Sequence, residues 1–303
     1  MCALAASAAP PSEYPTDAEI VLAILRVLTY ADQFEQAASH ADIFRYLDAP
    51  RDRNDLESTL RRETGTSWLR SGDLYCLPGR AVLFAQTAAR VARASQAWPL
   101  ARRWAGIMAH VPCVRMIAVT GSLAMDNFTP GADIDFLVVT TPGRVWTARL
   151  LLVCLVRVAR MSGVELCPNF VLSSKELQLN QQNFVMAREL AQMVPLFGRE
   201  LYRQMIEMNA WMFSYLPLAT DPPARSLEYT LSRGAQWLKA LGECLVALPL
   251  GQKLEDWERT RKIARLRRLP GSDTPDVILS AEQCKGHFRA GASGTWPPRV
   301  NEA

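Results

Sequence analysis

Residues 114–140 read VRMIAVTGSLAMDNFTPGADIDFLVVT, and the fold of the chain is decided there. Met116 to Val119 is a short apolar run that stops at Thr120-Gly121-Ser122, and Ile134 to Val139 is a second, entered through Asp133-Ile134-Asp135. Short apolar runs bounded by turn-forming residues read as strands. Side chains alternate faces along a strand, so Asp133 and Asp135 point one way while Ile134, Phe136 and Val138 point the other. Two like charges at short range repel, and one carboxyl pKa would rise unless a cation sits between them. A divalent metal removes that cost, and Mg²⁺ is typically held by one or two carboxylates together with water and substrate phosphates. Gly121-Ser122 supplies the complementary half. Glycine lets the backbone approach a phosphate closely, the serine hydroxyl donates to it, and free N–H groups at the start of a following helix attract an anion.

A Gly-Ser turn, ten residues, then Asp-x-Asp within a strand resembles the signature of the nucleotidyltransferase superfamily typified by DNA polymerase β. The resemblance implies an Mg²⁺-dependent transferase, with Mn²⁺ as an alternative metal. It would move a nucleoside monophosphate from an NTP to an acceptor and release pyrophosphate. Asp133 and Asp135 are then the metal ligands and catalytic carboxylates, and Gly121 and Ser122 cradle the phosphates. Members of the superfamily usually present a third carboxylate on the next strand. The matching position in Glu165-Leu-Cys-Pro-Asn-Phe-Val-Leu172 is Asn169, which offers a carbonyl oxygen but neither charge nor basicity. Asn169 is expected to line the acceptor side, with Glu165 or Glu176 as possible substitutes for the missing acid. Arg144 and Lys175 flank the expected cleft and are candidates for holding the triphosphate. The alternative is a catalytically degenerate nucleotide-binding or regulatory protein acting through its N-terminal region.

Composition bounds the rest. A chain of 303 residues with 49% hydrophobic and 21% charged residues is ordinary globular material, long enough for two domains. A net charge of +4 does not by itself argue for nucleic acid. Seven cysteines without CxxC or Cys/His spacing fit a reduced, cytoplasmic compartment. The start, MCALAASAAPPSEYP, lacks the basic n-region of a secretory signal, and the most apolar helix candidate, Val145 to Met161, carries three arginines. A membrane span needs about 20 apolar residues, so no membrane partner is expected.

Outward from the central stretch, helices are expected from Asp17, Ser39 and Asp52 or Asn54, each of them a candidate N-cap. A hairpin around Gly72-Asp73 follows. Three helices and a hairpin is the order of a winged helix. The presumed third helix, DRNDLESTLRRE, carries four acids against three bases, which argues against DNA as a partner. Residues 81–111 read as one long connecting helix or two, with the division expected at Pro99, because proline in a helix interior costs roughly 3 kcal/mol. Pro168 suggests an edge strand or a bulge. Helices follow over Phe184–Val194 and Arg199–Tyr215, then one capped by Ser226 and one over Leu254–Leu269 with a basic end. Asn209-x-Trp211 and Tyr215-Leu216-Pro217 resemble a broad group of bacterial nucleotidyltransferase-domain proteins with a winged-helix-like start. Trp211 and Tyr215, a turn apart, read as core.

The expected fold is therefore α+β. An α/β nucleotidyltransferase core with a mixed sheet (113–180) lies between a winged-helix-like domain (16–80) with connecting helices (81–112) and a C-terminal helical region (181–289). Tails at 1–15 and 290–303 complete the chain, and His287 reads as structural. The acceptor, whether RNA, protein or small molecule, and the choice of NTP are not fixed by any motif.

Overall fold

The computed structural model describes residues 16–48, 53–223, 225–268 and 277–286; His287 and both tails lie outside them, as does Asp52. Two compact units emerge, one formed by residues 1–87 with 216–219 and the other by 88–215 with 220–303.

In the first unit, α1 (Asp17–Gln33) is capped one residue earlier than its sequence suggests. Thr16 forms a capping box with Glu19, each satisfying a backbone N–H of the other's end, so Asp17 is the first helical residue. After β1 (Ala38–Ser39), α2 (His40–Tyr46) starts on Ser39, whose partner is Asp42. Then come α3 (Arg53–Arg62), β2 (Leu69–Ser71) and β3 (Leu74–Cys76), with β3 between β1 and β2 in an antiparallel sheet. Ile20, Ile24, Ile43, Leu56, Leu60 and Trp68 are fully buried here, and the Trp68 indole donates to the Leu60 carbonyl at 3.1 Å.

Helix α4 runs unbroken from Val82 to Met108 with Pro99 inside it, so the expected division at proline does not occur. Packing outweighs the lost hydrogen bond. Trp98, Ala101, Ala105 and Met108 around the proline are buried in the second unit's core, and burying each large apolar side chain contributes roughly 2 kcal/mol.

The second unit's chain then runs through β4 (Val114–Thr120), the single turn α5 (Gly121–Ala124), β5 (Ile134–Thr140), α6 (Val145–Met161), β6 (Leu166–Ser173), α7 (Phe184–Gln192), β7 (Val194–Phe197) and α8 (Arg199–Met208). A 3₁₀ turn (Ala210–Ser214), α9 (Arg233–Ala247), α10 (Pro249–Leu266), β8 (Ile278–Leu279) and β9 (Gln283–Lys285) complete it. The six-stranded sheet has the order β7-β4-β5-β6-β9-β8. Only β5 and β6 are parallel, joined by the crossover helix α6, so the sheet is mixed as expected. The sheet is not confined to 113–180, however. β7 and β9 come from the stretch that sequence alone assigned to a helical region, within which the only strand expected was 277–280, where β8 lies.

Strand β6 is interior, and Pro168 is accommodated by a bulge rather than by an edge. Asp135 pairs with Cys167 but Leu137 pairs with Phe170, leaving one extra residue on β6. Near the C-terminus, Ser226 caps no helix; Ser232 caps α9 through the Ala235 N–H. Residues 226–231 instead run alongside β7, with the Leu227 and Tyr229 N–H groups donating to the Pro195 and Leu196 carbonyls.

One contact in this unit joins distant parts of the sequence. Arg144, the N-cap of α6, makes no side-chain cap. The buried Glu255 carboxylate from α10 takes its place, accepting from the Trp146 and Thr147 N–H groups at 2.9 and 2.7 Å. A negative charge at a helix N-terminus satisfies orphan donors and opposes the helix dipole.

Candidate active site

The end of β4, the start of β5 and the start of β6 meet at one place. Register sets Thr120 opposite Asp135, and Asp135 opposite Cys167. Ligand atoms of Asp133, Asp135 and Cys167 lie within 4.8 Å of one another, at the intermediate burial of a site open on one side. Asn169, 8% exposed, donates from Nδ2 to Asp135 Oδ1 at 3.1 Å.

Gly121 closes the other side of the pair. Its φ of +64° lies in the left-handed region, and a Cβ there would overlap Asp135 Oδ2, so both the backbone and the carboxylate require glycine. The turn after it is held firmly. The Asn127 N–H donates to the Ser122 carbonyl at 2.9 Å, Arg90 from α4 donates to Asn127 Oδ1 at 3.0 Å, and Asp126 accepts from the Trp98 indole at 2.8 Å and from Arg225 at 3.0 Å. Arg225 also lies over the Trp98 ring at 5.5 Å.

Burial first, and then the charges of Asp135 and Asp133, push the Cys167 thiol up to about 12. It therefore stands beside the carboxylates as a protonated group. The donor set fits a hard divalent ion, with two carboxylates converging and a glycine leaving one of them accessible. The hydroxyl of Thr120, next to Asp135 in the ladder, is buried without a hydrogen-bond partner, as polar groups lining ligand sites often are.

Of the residues singled out from sequence, Gly121, Ser122, Asp133, Asp135 and Asn169 are thus brought together. Arg144 and Lys175 are not. They follow the far ends of β5 and β6, roughly 15–20 Å along those strands from the carboxylates at about 3.3 Å per residue. Arg144 instead donates to Gln252 on α10 at 2.9 Å. Neither acid offered as a replacement reaches the site: Glu165 is held in a bidentate pair by Arg160, and Glu176 accepts from Gln283 at 2.9 Å. The Arg160 hydrogen bond keeps the Glu165 carboxyl below its usual range.

The family model for the nucleotidyltransferase domain matches residues 105–182, from the end of α4 to the loop before α7. The chain carries a nucleotidyltransferase domain. Every residue of the convergent site falls inside the matched segment of this domain. Strands β7 and β9, which flank its sheet, fall outside. No curated protein and no solved structure matches the chain.

Two features of this convergent site were not found from sequence. Cys167 was passed over because cysteines were judged by their spacing from one another. The register sets it opposite Asp135, but the bulge at Pro168 breaks the period-two count from Asn169, so its place beside the carboxylates was not legible. Arg225 could not be found from sequence, since nothing local announces that a segment about 100 residues downstream returns to Asp126.

Among the described residues no helix is long and apolar enough to cross a membrane.

Proposed function

We propose that this protein is a divalent-metal-dependent nucleotidyltransferase that moves a nucleoside monophosphate from an NTP to an acceptor hydroxyl or phosphate and releases pyrophosphate. The observation that carries this reading is the convergence of Asp133 with Asp135, which itself lies against the left-handed glycine of a Gly-Ser turn, inside a segment matched by the domain's family. Asp133 and Asp135 would hold Mg²⁺ or Mn²⁺, which supplies charge stabilisation for the transferred phosphoryl group and its leaving pyrophosphate.

The chain's own residues do the rest. Gly121 permits close approach of the backbone, and Ser122 presents a hydroxyl to the phosphates. The network through Asn127 and Asp126 keeps that turn from moving when the ligand binds. Asn169 fixes one oxygen of Asp135 by donating to it, and so sets the direction of the other. Having no basicity, Asn169 does not take the acceptor's proton; an oxygen of Asp133 or Asp135, or of the substrate, has to receive it. In this class of reaction positioning and electrostatics provide most of the rate. Loss of one metal ligand worth about 4 kcal/mol at the transition state lowers the rate roughly a thousandfold.

The test is incubation of the protein with each α-labelled NTP, Mg²⁺ or Mn²⁺ and a cell extract. Labelled product and pyrophosphate are expected from the wild type and neither from Asp133→Ala or Asp135→Ala. Saturable NTP binding without product would instead support the second reading, a nucleotide-binding protein that has lost turnover. One observation favours that reading: the third carboxylate is replaced by Asn169 while Glu165 and Glu176 are engaged elsewhere. On that reading the first unit, whose helices and sheet we take as winged-helix-like, would carry the biological role. Four of its arginines, Arg26, Arg61, Arg62 and Arg80, are paired with acids, which weakens the case for DNA as the partner. A cytoplasmic location fits the free cysteines of the described chain.

A further inference from the structure

Helices α9 and α10 present an apolar face to solvent. On α9, Trp237, Leu238, Leu241 and Leu245 are 80%, 73%, 59% and 60% exposed. On α10, Leu250, Leu254 and Trp257 are 76%, 36% and 56% exposed. With 3.6 residues per turn, the first group spans an arc of about 100° and the second about 60°, so each is a face and not a scatter. Together they leave on the order of 800 Å² of apolar side chain in water, above the few hundred Å² of the largest patch on a typical monomer. The opposite sides of both helices are used inward: Lys239 and Glu243 engage β4 and its approach, and Glu255 caps α6.

The charge around this face has one sign. Between Arg233 and Arg268 nine Lys and Arg residues stand against four acids, a surplus of five in a chain whose net charge is +4. All four acids are engaged within the protein: Glu243 by Arg115, Glu255 by the start of α6, Asp256 by Arg259 and Glu258 by Arg261. The apolar arc of α10 runs on at the same helical spacing into Arg261 and Arg265, and Arg261 lies 4.9 Å over the Trp257 ring. Exposed Arg233 begins α9 on the side of Trp237.

We propose that the α9–α10 face seats this protein on an anionic lipid surface, with the leucines and the two tryptophans entering the headgroup region and the arginines meeting lipid phosphates. A leucine-rich face bounded by tryptophan and arginine is the composition of interfacial helices. Leucines offer no stacking surface to bases, which separates the face from a single-strand nucleic-acid platform. Self-association through it would bring two regions with the same surplus of positive charge together, which separates it from a two-fold dimer interface. The absence of a spanning helix among the described residues does not bear on such a surface contact, and the proposal is independent of nucleotide transfer.

The experiment uses the full-length protein in co-sedimentation with vesicles of phosphatidylcholine alone, or of phosphatidylcholine with about 30% phosphatidylglycerol, at low and at roughly 0.5 M salt. Pelleting with the anionic vesicles at low salt is expected, with a blue shift of tryptophan emission and none with the neutral ones. Binding should fall roughly tenfold or more both in Trp237→Gln/Leu241→Gln and in Arg265→Gln/Arg268→Gln. All four positions are exposed, and Leu250→Gln/Leu254→Gln provides a second apolar variant should the first lose its circular dichroism signal. No pelleting with either vesicle overturns the proposal, as does pelleting indifferent to the apolar variants. A dimer by light scattering that the apolar variants abolish, without vesicle binding, assigns the face to a second copy and overturns it equally. RNA binding lost in the arginine variant but not the apolar ones does so as well.

Discussion

At residue scale, the site depends on what is missing at two positions. Gly121 has no side chain where one would overlap Asp135, and its backbone has positive φ. Gly121→Ala is expected to cost about 1–2 kcal/mol in a denaturant melt, from the left-handed backbone alone. It should also abolish NTP binding measured by calorimetry, because Asp135 must turn away. Asn169 lacks the charge the resemblance led one to look for, and it donates to Asp135 instead of competing with it. Asn169→Asp places a third negative charge beside the pair. The variant should melt lower than wild type in chelator, yet gain more in midpoint on adding Mg²⁺, since a ligand that binds only the folded state stabilises it by mass action. An equal or smaller Mg²⁺ response would show that residue 169 does not face the metal. Both positions were legible in the sequence, Gly121 from a local turn motif and Asn169 from the place where the resemblance leads one to look for a third carboxylate. The placement of Arg144 and Lys175 is harder to read: each comes after its strand has carried the chain away from the carboxylates, a distance that sequence proximity conceals.

At the scale of elements, α6 and α9 are fastened by charged groups whose partners lie far along the chain. Glu255→Ala removes the acceptor for two N–H groups of α6 and should cost about 2–3 kcal/mol, whereas Glu255→Gln, retaining one carbonyl acceptor, should cost less. Equal losses in thermal melts would mean that the carboxylate's charge, and not its acceptor capacity, governs the cap. Lys239 is buried, donates to the Ala109 and Val114 carbonyls at 2.8 and 2.5 Å, and lies 5.0 Å from the Phe197 ring. Burial first, and the nearby Arg115 charge second, bring it down from 10.5 to about 8. Between those values the unfolded chain holds a proton the folded one has released, so this lysine makes stability rise with pH from about 8 to 10.5 and contributes no slope below. The wild-type melting profile minus that of Lys239→Met should show this rise; a flat difference would contradict it. Sequence reasoning located α6 but not its cap, and it divided α4 at Pro99, because both outcomes were decided by tertiary packing rather than by local propensity.

For the molecule as a whole, the sheet reaches well beyond the nucleotidyltransferase segment. Residues 105–182 contain β4, β5 and β6, while β7 covers the outer edge of β4 and β9 that of β6. Expressed alone, that segment would expose two long apolar strand edges. It should be recovered as aggregate or as a species without cooperative melting, whereas the full chain melts as a folded protein. A soluble, cooperatively melting fragment would show that the flanking strands are dispensable. The mixed core was readable from the central stretch, since apolar runs and turns mark strands; β7 and β9 were not, because four- and three-residue strands carry too little pattern to stand out among helices. The position of β9 also orders events in time. Gln283, Cys284 and Lys285 pair with Leu172, Val171 and Phe170, so the strand carrying Cys167 and Asn169 keeps an open edge until a segment about 110 residues further along the chain has been made. The nascent chain therefore holds Asp133 and Asp135 long before it can finish the sheet that positions them. During that interval the β6 edge is available to any passing strand, and a protein made from the N-terminus onward is vulnerable to mispairing there until β9 arrives.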